Sequence, residues 1–219
     1  MRRRSGRADW HRMPRTGSRE RQGVLCGREI RTRRMSAVVA RRTKGSRREQ
    51  LRRAAAAPAD IEVQYATARA GVPHPASLRR WAQVALADPS FNLGSRPHSV
   101  TLRIVASAEG RKLNREWRGM DKPTNVLSFP SGGPMTLNSE PVPLGDIVIC
   151  APVIRREAAE QGKVARAHWA HMVVHGVLHL LGYDHESERD AVVMEKLEAK
   201  LLASQGFPDP YQLKESARR

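Results

Sequence analysis

The chain has 219 residues, enough for one ordinary domain with a real core, and 39 Lys+Arg against 22 Asp+Glu give it a net charge of +17. Residues 1–53 hold 19 of the basic and 4 of the acidic side chains, whereas residues 54–219 are nearly balanced at 20 and 18, so whole-chain basicity does not make the body of the protein a nucleic-acid binder. Cys26 and Cys150 lie far apart without CxxC spacing, which excludes a disulfide scaffold and fits a reducing compartment; no apolar run reaches the ~20 residues of a membrane span, and no signal peptide is expected.

Residues 1–58 are Arg-rich, poor in apolar side chains and without a period, which predicts a basic, disordered extension. Three readings of it stand side by side: an arm held to RNA by phosphate charge, a segment of transit-peptide character, or residues upstream of a later start such as Met35. The folded domain is expected over 59–212, with a short tail at 213–219.

Within the domain, Ile61, Val63 and Tyr65 alternate with polar positions and predict a strand. Pro75 to Ala87 is expected to be helical, with Leu78, Trp81, Ala82 and Ala85 on one side. Val100, Leu102, Ile104 and Ala106 alternate again as a second strand, and Glu109 to Trp117 reads as a short helix. Thr124 to Phe129 is a short apolar strand closed by Pro130. Three prolines and two glycines make 131–143 a loop before a strand at Leu144 to Cys150. Helices follow from Pro152 to about Gln161, from Val164 to Leu181 and from Ser187 to Ser204, the last stopped at Gly206, with Ser187 and Asp190 as a loose cap. Four strands among five helices predict an α+β domain with a small mixed sheet.

Five of the eight histidines fall within HWAHMVVHGVLHLLGYDH, residues 168–185. His175 and His179 are four apart, so on a helix one imidazole stands a turn above the other. Gly182 lets the chain leave the helix, and the turn can swing His185 back toward the pair. A histidine pair on an apolar helix can be two satisfied core side chains, but three nitrogens with a fourth position open is a catalytic zinc arrangement, and a zinc ion lowers the pKa of water at such a position to about 7. His168 and His171 are surplus to three ligands, so packing and outer-shell hydrogen bonding are expected of them. The ligand spacing is that of metzincin peptidases, which place Glu after the first histidine as general base; here that residue is Gly176, which cannot take a proton.

HGVLHLLGYDH, together with LNREWRGMDKPTNVLSFP at 113–130 and GDIVIC at 145–150, closely resembles the YbeY family of bacterial endoribonucleases over roughly residues 60–211. The resemblance implies an α+β domain with a zinc cleft, His175, His179 and His185 as the metal ligands, and a functionally important arginine at Arg118. It also implies single-strand-specific cleavage in small-subunit rRNA 3′-end maturation and ribosome quality control. Partners would be single-stranded rRNA, the small ribosomal subunit and its assembly proteins, in the cytoplasm and with no membrane. Asn125 stands where many members carry Asp. A phosphate-gripping role suits Arg118, because a guanidinium stays charged and can hold two phosphate oxygens, with Lys122 as a weaker contact. Asp184 could orient a ligand imidazole or serve the turn. Trp117 and Trp169 are candidate base-stacking groups for which buried packing is the plainer expectation. Two other functions fit the residues: a zinc metallopeptidase, from the ligand spacing, and a non-catalytic ribosome-assembly factor.

Overall fold

A computed structural model describes residues 59–91, 93–94, 96–131 and 141–212. The expected extension at 1–58 and tail at 213–219 lie outside the described residues, as does most of the expected loop. The strands are β1 (Asp60–Ala66), β2 (His98–Val105), β3 (Val126–Pro130) and β4 (Val142–Cys150); the helices are α1 (Pro75–Leu86), α2 (Ser107–Arg118), α3 (Ala151–Glu160), α4 (Ala165–Leu180) and α5 (Glu188–Ala203). The sheet order is β1-β2-β4-β3, with β1, β2 and β4 parallel and β3 antiparallel to β4, so the expected α+β fold with a mixed four-stranded sheet is what the chain adopts.

Alternation along the strands divides the core in two. Val100, Leu102 and Ile104 of β2 with Ile147 and Ile149 of β4 face the larger cluster, where α1 contributes Leu78 and Trp81, α4 contributes Trp169, Val173 and Val177, and α5 contributes Met194 and Leu201. Val148 and Cys150 point to the opposite face and pack with Leu127, Val153 and Leu113. The helix α4 is therefore central: it is buried along most of its length between the sheet, α1 and α5.

Two boundaries differ from the sequence expectation for visible reasons. Strand β4 starts at Val142 rather than Leu144, because a bulge between Pro143 and Gly145 lets Pro143 pair with Ser99. The last β3 pair is Pro130–Gly145, so the missing N–H of Pro143 faces no strand on that side. Strand β3 starts at Val126 rather than Thr124, because the Asn125 side chain takes the Val126 N–H at 2.7 Å. Among the described residues no helix is long and apolar enough to cross a membrane.

Candidate metal centre

His175 and His179 sit one turn apart on α4, and the helix ends where the sequence supplies glycine. Gly182 has φ +86°, and the Gly182 and Tyr183 N–H groups return to the His179 and Leu178 carbonyls at 3.1 and 3.0 Å. This paired closure caps the helix and directs the chain back. His185 follows, with its ring centroid 5.4 Å from that of His175 and 5.2 Å from that of His179. One ligand atom from each of the three histidines lies within 4.8 Å of the others. The Nε2 atoms of His175 and His179 are 3.1 Å apart. Two nitrogens held tetrahedrally by one zinc ion would be separated by about 3.3 Å, so the donor set and its spacing fit that ion. Burial, followed by the nearby His175 and His185, pushes the His179 imidazole below its ordinary pKa, toward the neutral form a metal requires.

The three histidines line a cavity of about 310 Å³ together with Arg118, Asn125, Ser128, His171 and Tyr211. Arg118 is the last residue of α2, which Gly119 ends with φ +71°. The segment that follows is tied back to α2 by Asn114, whose Nδ2 donates to the Lys122 carbonyl at 2.7 Å, and by the Arg111–Asp121 ion pair. Arg118 itself is exposed and makes no hydrogen bond or ion pair to any described residue. Lys122 is not part of the cavity wall.

The sequence reading missed the buried carboxylate of the site. Glu198 of α5 is 0% exposed. Its Oε1 accepts from His175 Nδ1 at 2.8 Å, and its Oε2 accepts from His171 Nε2 at 3.0 Å and from the Tyr211 hydroxyl. Burial alone would raise its pKa, but the hydrogen bonds and charges of His171 and His175 hold it down at about 2. His171, His175 and Glu198 form a second group close enough to hold a metal. Protein hydrogen bonds already occupy those atoms, whereas the His175–His179–His185 group opens onto the cavity. Asp184, the carboxylate next to His185 in sequence, serves the turn: its Oδ1 accepts the His185 backbone N–H at 2.7 Å.

His168 and His171 are both buried and hydrogen-bonded to carboxylates, and His171 also lines the cavity. His168 pairs with Glu157 at 2.9 Å, and Glu157 accepts from Asn125 Nδ2 at 3.2 Å on the cavity wall. An aspartate at 125 could not donate to Glu157, so the amide is matched to its partner here. Of the two tryptophans, Trp169 is packed at 1% exposure, but Trp117 is 51% exposed, with its ring edge-on to Phe129 at 5.5 Å. Phe129 belongs to β3, the edge strand of the sheet among the described residues.

Gly176 acquires a structural meaning. A Cβ there would lie 2.7 Å from Ile147 Cγ2 and 3.1 Å from its Cδ1. The residue after the first histidine thus faces the sheet and not the cavity. None of the described residues lining the cavity is a carboxylate.

The family description Endoribonuclease YbeY matches residues 64–206. Curated proteins of that name are similar to this chain. The one from Alkalilimnicola ehrlichii is 57% identical over 162 residues, covering 73% of this chain and 95% of its own length. Those from Pseudomonas putida and Stenotrophomonas maltophilia are 51% and 50% identical, each covering 69% of this chain and 92% of its own.

Proposed function

The chain belongs to the YbeY endoribonuclease family, and on that premise we propose that it is a zinc-dependent endoribonuclease cutting single-stranded ribosomal RNA during small-subunit maturation. The observation that carries this reading is the convergence of His175, His179 and His185 on one cavity whose wall also presents Arg118, a guanidinium with no partner among the described residues. Zinc bound by the three histidines would supply a Lewis acid and an open position for water or a substrate oxygen. Arg118 would hold the scissile phosphate through paired N–H donors and offset the negative charge that builds on it during cleavage. The absence of carboxylates from the described cavity wall favours a phosphodiester substrate, since no fixed negative charge repels it.

The metallopeptidase alternative rests on ligand spacing alone. It loses its base at Gly176, and the described cavity wall offers no carboxylate to replace it. Purified protein offered labelled single-stranded RNA and labelled casein, beside His175→Ala, tests the reading. RNA cleavage that disappears with His175→Ala is expected. Cleavage that persists undiminished in the variant points to contaminating nuclease and sinks the proposal, whereas RNA binding without cleavage under any metal favours a non-catalytic assembly factor.

A further inference from the structure

We infer that Glu198 is the positioning residue of the metal site, fixing the His175 tautomer that turns Nε2 toward the metal and tying His171 and Tyr211 to the same carboxylate. This inference rests on the metal reading proposed above for His175, His179 and His185.

A carboxylate with no exposure is tolerated only when its lone pairs are filled by good donors. Glu198 has three: His175 Nδ1, His171 Nε2 and the Tyr211 hydroxyl. An ionised carboxylate only accepts, so each partner must donate. A neutral His175 is therefore protonated on Nδ1 and carries its lone pair on Nε2. That Nε2 is the atom 3.1 Å from His179 Nε2, at the centre of the three-histidine group. His171, by the same logic, carries its proton on Nε2, donates it as a hydrogen bond to Glu198 and keeps an Nδ1 lone pair; Nδ1 is buried and unpartnered, an acceptable state for an acceptor and a costly one for a donor.

Glu198 comes from α5, which carries none of the three ligands, and Tyr211 from the segment after it. The metal site is thus assembled from α4, the turn after it, α5 and the C-terminal segment together. Carboxylate–histidine pairing of this kind orients the ring and raises its basicity toward the metal. Hydrophobic residues would fill a purely structural core position as well or better, so the placement of a charge here is explained by its partners.

The test uses the full chain with Glu198→Gln and Tyr211→Phe. Zinc affinity is read by competition with a chromophoric chelator, geometry by the visible spectrum of the cobalt-substituted protein, and folding by the melting temperature of the metal-free protein. Glu198→Gln is expected to weaken zinc binding by roughly 10- to 100-fold and shift the cobalt bands; the loss of a buried acceptor also lowers the metal-free melting temperature, so both readings are taken at a temperature where the variant is folded. Tyr211→Phe is expected to act in the same direction but less, because His171 still holds Oε2. Zinc binding by folded Glu198→Gln within twofold of wild type, with an unchanged cobalt spectrum, overturns the inference. Should that variant fail to fold, the metal-free wild type decides: long-range ¹H–¹⁵N spectra must show His175 as the Nδ1–H tautomer, and the Nε2–H tautomer refutes it. Failure of wild-type protein to bind zinc would instead strike the proposed function, leaving the tautomer measurement to judge Glu198.

Discussion

Replacing Gly176 by alanine separates two explanations of a glycine in the middle of a buried helix. If nothing but helix propensity mattered, alanine would stabilise the protein by ~1 kcal/mol. The structure predicts the opposite. The new Cβ would stand 2.7 Å from Ile147 Cγ2, on a β-branched side chain of a central strand with little rotamer freedom. Overpacking of this kind costs ~1–3 kcal/mol, so the net expectation is a loss of about 0–2 kcal/mol. In a domain of this size that is a fall in melting temperature of up to about 8 °C, read by circular dichroism and by the urea midpoint. Gly176→Glu, which would restore the peptidase pattern, also buries an unpaired charge and is expected to cost more than about 3 kcal/mol without creating casein cleavage. Ile147→Ala should cost ~2–5 kcal/mol alone, and the double variant with Gly176→Ala should cost less than the sum, because the added methyl enters the vacated space. A Gly176→Ala protein about 1 kcal/mol more stable than wild type, with no coupling to Ile147, would show that the close approach of helix and strand is not what selects glycine.

Other expectations follow from single features. Arg118→Ala should retain its zinc by elemental analysis while cleavage falls by roughly 100-fold or more, and Arg118→Lys should recover only part of it; zinc lost from Arg118→Ala would mean the arginine supports the metal and not the phosphate. Burial raises Glu157, but hydrogen bonds from His168 and Asn125, with the charges of His168 and Arg156, more than offset this and hold it below its ordinary value of 4.5. Its folded pKa is depressed, so its contribution to stability is present above pH 4.5 and is lost as pH falls through the folded value. Urea midpoints of wild type and Glu157→Gln should accordingly differ at pH 6 and converge in acid; a constant difference would deny the charge a role. Burial pushes the Cys150 thiol up despite hydrogen bonds from Val153 and Ser107, so iodoacetamide should leave it unmodified in native protein and label it in denaturant, as read by mass spectrometry.

How much of this was legible depended on whether the signal was local. The face Leu78, Trp81, Ala82 and Ala85 repeats at helical spacing, and those four residues are the buried side of α1. The three histidines were legible because two share a helix face and a glycine turn returns the third, all within eleven residues. Glu198 was not, because it lies 23 positions from His175 on a helix that also carries Glu195, Lys196 and Lys200. A signal was nonetheless present: Glu198 falls on the stripe of Met194, Leu201 and Leu202, where a carboxylate has no business unless something buried receives it. Asp184 drew attention only by adjacency. Buried packing is the plainer expectation for Trp117, as for any tryptophan, and no local pattern reveals that its ring is half exposed against Phe129 of an edge strand.

The same separation between local pattern and three-dimensional facing decides the chemistry. Metzincin-like spacing specifies where nitrogens meet, and it leaves open what stands around them. In this fold the position that would bear the peptidase base points into the sheet at Ile147, and Gly176 is not among the residues that line the cavity. Glu198, the carboxylate bonded to the His175 ring, is buried and committed to three hydrogen bonds, so it cannot take a proton from a nucleophile in the cavity without breaking them. What faces the cavity among the described residues is instead an unpaired arginine, an amide held by Glu157, and a phenol held by Glu198. Those groups suit an anionic substrate gripped at its phosphate. On the proposed function that grip is supplied locally, by Arg118 at the wall of the three-histidine cavity, within residues 54–219, whose charge is nearly balanced at 20 basic and 18 acidic side chains.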